Sequence, residues 1–118
     1  MESPTRSATQ RKHQRYVFSE SIVVVHRVST TDVRRNPGIC MEIGEGGMSA
    51  IVTEPLNAGD EVEVSFAFPD GSKIQVNAVV RNHYGFRHGF EFLHLSDEAR
   101  EKIRCACASL RPYEGGWY

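Results

Sequence analysis

The stretch that most constrains the fold is Glu61-Val62-Glu63-Val64-Ser65-Phe66-Ala67-Phe68, where polar and apolar residues alternate one for one. A period of two belongs to a pleated strand, because successive side chains point to opposite faces. Val62, Val64, Phe66 and Phe68 then share one face. Pro69-Asp70-Gly71-Ser72 follows and has the composition of a hairpin turn. Lys73 to Asn82 answers with Ile74, Val76, Ala78 and Val80 on one side.

Shorter runs of the same kind lie on either side of this hairpin. Ile22 to Val28 is β-branched and apolar and predicts a strand. Ser29 to Gly38 is polar and closes on Asn36-Pro37-Gly38, which predicts a loop and turn. Ile39 to Ile43 and Met48 to Thr53 predict strands on either side of the glycine-rich turn Gly44-Glu45-Gly46-Gly47. Pro55 to Asp60 and His83 to His88 predict loops, and Gly89 to Leu95 a last strand. The period then changes. Ser96 suits a helix N-cap, and Asp97 and Glu98 place negative charge in the first turn, where the helix dipole favours it. Ala99, Ile103, Ala106, Cys107 and Leu110 fall on one helical face, with Pro112 as the stop. The expectation is a mainly β chain of six antiparallel strands with a C-terminal α-helix. Closing such a sheet into a barrel removes its edges, and the helix can cover one open end.

At 118 residues there is room for one domain and one modest core. The hydrophobic fraction of 40% and the charged fraction of 25% are those of a soluble protein. No stretch approaches the length of a membrane span, so no membrane insertion is expected. Met1 to Arg15 lacks the apolar segment of a secretory signal, and a cytoplasmic location is the expectation. The three cysteines, Cys40, Cys105 and Cys107, are an odd number and read as reduced thiols. The division expected is a disordered basic arm over residues 1–10, a barrel domain over 11–111 that includes the arginines described next, and a tail over 112–118.

The net charge of −1 hides an asymmetry. Arg6, Arg11, Lys12 and Arg15 against Glu2 give residues 1–15 a charge of +3, which leaves −4 for the remainder. A protein that wraps long nucleic acid is basic across a whole face. Here the positive charge is local and suits a small anion better than a polymer; the alternative is a solvated basic tail. Within it, Arg11-Lys12-His13-Gln14-Arg15 holds two arginines with three residues between them. An arginine fork can bind phosphate bidentately, bond the O6/N7 edge of guanine or stack on a base.

Two features taken together resemble the PilZ domain family. Its members pair an Arg-x-x-x-Arg arm with an Asp/Asn-x-Ser-x-x-Gly turn. This chain has Arg11 and Arg15, then Glu42, Gly44 and Gly47 at the corresponding places of the turn. Gly46-Gly47-Met48, Val79-Val80-Arg81 and Gly89-Phe90-Glu91-Phe92-Leu93 look like the family as well. The resemblance spans about residues 11–110. It implies a PilZ-type barrel that binds cyclic di-GMP and signals to an effector protein still unidentified. Carried over, Arg11 and Arg15 form the clamp, Glu42 accepts from a guanine edge, and Gly44 and Gly47 shape a turn whose backbone amides can face an anion. Gln10, before the first arginine, stands where the family influences how the ligand is held.

The turn departs from the family pattern twice. Glu42 replaces Asp or Asn and adds a methylene. Gly44 replaces Ser and removes one hydroxyl contact, worth about 0.5–1.5 kcal/mol net, or roughly tenfold in affinity at most. A degenerate PilZ domain that binds no nucleotide and works through protein contacts is the alternative reading.

Other residues read more plainly. Cys105-Ala106-Cys107 lacks metal-ligand spacing, and Cys107 reads as core. His83 and His88 read as exposed loop histidines. Tyr84 and Phe86 read as buried at a barrel rim, with base stacking as the alternative. Arg81 reads as a surface arginine near a strand end that could add charge near the site. Trp117 and Tyr118 lie beyond the helix. No Ser/His/Asp or Cys/His order, acid pair or zinc spacing suggests an enzyme or a cofactor. A single-stranded RNA-binding barrel is a weaker reading, since the aromatic residues look mostly inward.

Overall fold

Alternation of apolar and polar residues builds most of what the computed structural model shows, and that structure describes residues 13–114. The strands are β1 (Tyr16–Val17), β2 (Ser21–Arg27), β3 (Val33–Ile43), β4 (Gly47–Val52), β5 (Glu61–Ala67), β6 (Lys73–Tyr84) and β7 (Arg87–Leu93), followed by helix α1 (Asp97–Cys107). Six of them form a closed antiparallel ring in the order β3-β2-β5-β6-β7-β4, shut by the pairing of β4 with β3. The short β1 lies outside the ring and pairs with the end of β3, Tyr16 opposite Ile43 and Val17 opposite Glu42. The expected six-stranded barrel with one C-terminal helix is thus the observed fold.

Val62, Val64, Phe66 and Phe68 point inward from the β5 hairpin, as do Ile74, Val76, Ala78 and Val80 from its partner. Phe18, Phe66 and Phe68 meet edge-on or tilted, with ring centroids 5.3–6.0 Å apart. The turn is held by Asp70, whose carboxylate accepts from the Ser72 N–H (2.8 Å) and hydroxyl (2.7 Å). Those bonds hold the Asp70 carboxyl below its ordinary pKa.

Three local expectations are corrected. The polar stretch ending in Asn36-Pro37-Gly38 is not a loop and turn; only its beginning is, and from Val33 it is the first half of β3, paired with β2. Proline survives there because of where its ring nitrogen faces. The Pro37 carbonyl accepts from Thr53 N–H (3.2 Å) on the β4 side, while the β3–β4 register starts at Gly38. The missing N–H therefore falls beyond the end of that ladder. The loop expected over His83–His88 shrinks to the two-residue turn Gly85-Phe86. Gly85 holds φ +63° there, a conformation that glycine adopts without penalty. Pro112 does not end α1, which stops at Cys107, followed by the tight turn of Leu110 N–H to the Cys107 carbonyl (3.0 Å).

Burial corrects two more. His88 is fully buried rather than an exposed loop histidine. Its Nε2 accepts from Leu56 N–H and its Nδ1 donates to the Phe86 carbonyl, both at 2.8 Å. Burial lowers its pKa below the ordinary histidine value. Tyr84 and Phe86, expected to be buried at the rim, are 80% and 53% exposed.

Helix α1 starts as expected, with the Ser96 hydroxyl accepting from Ala99 N–H at 3.0 Å. Ile103 and Cys107 enter the core, with Ala99, Ala106 and Leu110 packed against it. The three cysteines are free thiols. Burial raises the pKa of Cys40 well above the thiol range and that of Cys107 to about 11. Among the described residues no helix is long and apolar enough to cross a membrane.

Candidate functional site

One extra residue aims the acid of the glycine turn. Cys40 pairs with Ala50 and Glu42 pairs with Ser49, so Met41 is a bulge in β3. Without it, Cys40 and Glu42 would face the same way. With it, Cys40 enters the core and Glu42 turns to the side of Ser49, while Ile43 returns to the core. Ser49 pairs in turn with Gly89 on β7. Glu42, Ser49 and Gly89 therefore form one row on the outer face of the barrel.

The arm closes over this row. Because β1 pairs with the end of β3, Arg15 is carried to Glu42, and its Nη1 donates to Oε1 at 3.4 Å. From the other side, Arg87 Nη2 donates to Oε2 at 3.5 Å. The same nitrogen reaches Ser49 Oγ (3.3 Å) and Tyr113 OH (3.2 Å). Glu42 is 0% exposed and the Arg15 side chain 8%. A carboxylate so placed is tolerable only because cations flank it.

The glycines serve this closure by their size. A Cβ on Gly44 would sit 2.5 Å from the Gln14 carbonyl oxygen and 3.0 Å from Arg15 Cδ. One on Gly47 would sit 2.0 Å from the Phe90 carbonyl oxygen. Neither glycine has a positive φ, so close approach, not backbone freedom, is what the positions require. Gly44 N–H donates to the Gly47 carbonyl at 2.9 Å. That amide is spent within the turn.

The C-terminal segment completes the site. Pro112 forms an antiparallel bridge with Tyr16. Val17 N–H donates to the Arg111 carbonyl (2.8 Å), and Tyr113 N–H donates to the Arg15 carbonyl (2.9 Å). The structure thus brings together Arg15, Glu42, Gly44 and Gly47 from the sequence reading. Gln10 and Arg11 lie outside the described residues. Arg87, Ser49 and Tyr113 are additions. Ser49 was legible as a polar residue between Met48 and Ala50, which face the core. Arg87 becomes legible only when β7 is begun two residues before Gly89. Nothing local marks Tyr113. Arg81 sits on the exposed surface and pairs with Glu91. Among the described residues no group of histidine, cysteine and acidic side chains could hold a metal ion.

The described residues thus form a closed six-stranded barrel with a C-terminal helix, and the segment before β1 folds onto a glycine turn. The chain belongs to the PilZ domain family, whose model matches residues 9–109. Its fold resembles that of the Bacillus subtilis inhibitor of motility MotI/DgrA at a TM-score of 0.69 and 14% identity, over 92% of this chain and 52% of that one. The chain therefore spans about half the length of MotI. The PilZ domain of Escherichia coli YcgR with c-di-GMP is similar at a TM-score of 0.63 and 15% identity, over 86% of this chain and 91% of that one. So is the PilZ domain of CeSA from a cellulose-synthesizing bacterium, at a TM-score of 0.63 and 12% identity, over 80% and 94% of the two chains. No curated protein sequence matches the chain.

Proposed function

We propose that this chain is a cyclic di-GMP receptor or adaptor module of the cytoplasm that acts on a partner protein and catalyses no reaction. One observation carries the reading: the arm and the glycine turn meet, with Arg15 on Glu42 across 27 positions of sequence and the Gln14 carbonyl against Gly44. In this reading Arg11 and Arg15 take phosphates and guanines of the ligand. Glu42 accepts from a guanine edge, Gly44 and Gly47 let the arm approach the barrel, and Gln10 adjusts how the ligand is held. The YcgR PilZ domain, similar in fold, is described with c-di-GMP. Calorimetric titration with cyclic di-GMP tests the reading. Binding that Arg15→Ala abolishes is expected; silence up to high micromolar ligand would overturn it.

A second reading has its own observation. Glu42 is fully buried and already held by Arg15 and Arg87, and Gly44 leaves no space for the family's serine. A face filled from within suits a domain that binds no nucleotide and works by protein contacts. Complex formation indifferent to both nucleotide and Arg15→Ala would favour it.

A further inference from the structure

We infer that Arg87 is a third arginine of the anion site and that Tyr113, from the C-terminal segment, is its positioning residue. The inference rests on the reading of this face as a cyclic dinucleotide site. The family motif assigns neither residue.

The first argument is charge. A cyclic dinucleotide carries two phosphodiesters and two negative charges. Arg11 and Arg15 supply two positive charges, but Glu42 cancels one of them. A turn with asparagine at this place would leave both arginines in credit; this one does not. Arg87 restores the count to +2, and it does so from the side of Glu42 opposite Arg15, on Oε2 where Arg15 is on Oε1. An anion bridging the two guanidinium groups would meet positive charge from both sides.

The second argument is the quality of the present contacts. Among the described residues, Arg87 Nη2 reaches Tyr113 OH, Ser49 Oγ and Glu42 Oε2 at 3.2, 3.3 and 3.5 Å, distances at the long end for a charged hydrogen bond. A phosphate taken bidentately brings N–H to oxygen at about 2.7–2.9 Å and is among the stronger partners a guanidinium can have. Exchange of long, shared contacts for short, paired ones favours the ligand. Lysine at this place would keep the charge and lose the fork.

The third argument concerns Tyr113, which touches both arginines at once. Its N–H holds the Arg15 carbonyl and its hydroxyl meets the Arg87 guanidinium. The tail is thus strung between the two cations that flank Glu42. A ligand that draws Arg87 toward itself must loosen or tighten this tie, so the C-terminal segment registers occupancy. Trp117, four residues further on, is the chain's single tryptophan and gives that segment an optical signal.

The test titrates cyclic di-GMP by calorimetry into the full chain and into Arg15→Ala, Arg87→Lys, Tyr113→Phe, Arg81→Ala and the Arg87→Lys/Tyr113→Phe pair, each first checked by thermal melting. Arg87→Lys should weaken binding by about tenfold or more, the loss of a hydrogen bond to a charged group. Tyr113→Phe, which deletes only a hydroxyl, should weaken it severalfold without changing the melting temperature of the free protein by more than a degree or two. In the Arg87→Lys background the same change should cost nothing further, because Tyr113 acts through Arg87. Arg81→Ala should bind as wild type. If wild type binds and Arg15→Ala does not, but Arg87→Lys and Tyr113→Phe keep wild-type affinity, the inference falls and the cyclic dinucleotide reading stands. Equal losses for Tyr113→Phe in both backgrounds would overturn its positioning role. Silence from wild type would overturn the reading and this inference together.

Discussion

Arg87 and His88 are neighbours on β7 and point to opposite faces of one strand. Each is a cationic residue type that folding has taken largely out of water. Their surroundings differ in kind. His88 is neutral, fully buried, and answered by two backbone groups, one from the loop that carries Leu56 and one from its own hairpin. Those partners are fixed by the chain path. Arg87 is charged and answered by side chains: Glu42 on β3, Ser49 on β4 and Tyr113 in the tail. Side chains can change partner where backbone cannot. The inward residue belongs to the scaffold, and the outward one belongs to a set of contacts that a ligand can rearrange.

The largest test of that difference is Glu42→Ala. It removes the charge between two guanidinium groups and should cost about 3 kcal/mol, in the range for breaking a buried pair from one side. Urea denaturation would read this as a lower midpoint at unchanged slope. A loss under 1 kcal/mol would show that water already screens the cluster.

Next comes Gly44→Ser, which restores the family's serine. The new Cβ would fall 2.5 Å from the Gln14 carbonyl oxygen. The arm must then move, at a cost of roughly 1–3 kcal/mol. The variant should melt earlier and bind cyclic di-GMP no better than wild type. Tighter binding would mean that the arm has a second seat on the turn.

His88→Phe probes the inward side. It leaves Leu56 N–H without its acceptor, at a cost of about 1–2 kcal/mol. Wild type should also carry a pH dependence that the variant lacks. The pKa of buried His88 is below the ordinary value near 6.5, so in moderately acid solution the unfolded chain binds a proton that the folded chain does not. Stability should therefore fall as pH drops below about 6.5, and rise toward neutrality. A wild-type curve that is flat between pH 7 and 5 would contradict this. The smallest effect is Ser96→Ala, which should cost about 1 kcal/mol by loss of the helix cap and leave both faces of β7 as they are.

The sequence disclosed the barrel through its strong alternations. The β5–β6 hairpin, the apolar side of α1 and its serine cap were all legible, because each is a local pattern with one physical meaning. Pro37 misled because a proline reads as a break unless its nitrogen is known to fall beyond the end of the next ladder. His88 misled because a histidine between aromatics and glycines reads as surface until its two backbone partners are known. At the site, Arg15, Glu42, Gly44 and Gly47 were legible through two loose motifs held at a family spacing. Arg87 and Tyr113 were not. Their contact depends on the register of β7 against β4 and on the bridge between Tyr16 and Pro112, and neither register nor bridge is written in any short stretch of residues.

The pairing of Pro112 with Tyr16 also means that the segment before β2 and the segment after α1 lie side by side. Joining the chain before Tyr16 to the chain after Pro112 would connect neighbours. New ends could then be opened at Pro69-Asp70-Gly71-Ser72, an exposed turn far along the chain from the arm. In such a circular permutant the arm and the tail become one continuous hairpin, and the cage around Glu42 is built by residues adjacent in synthesis order.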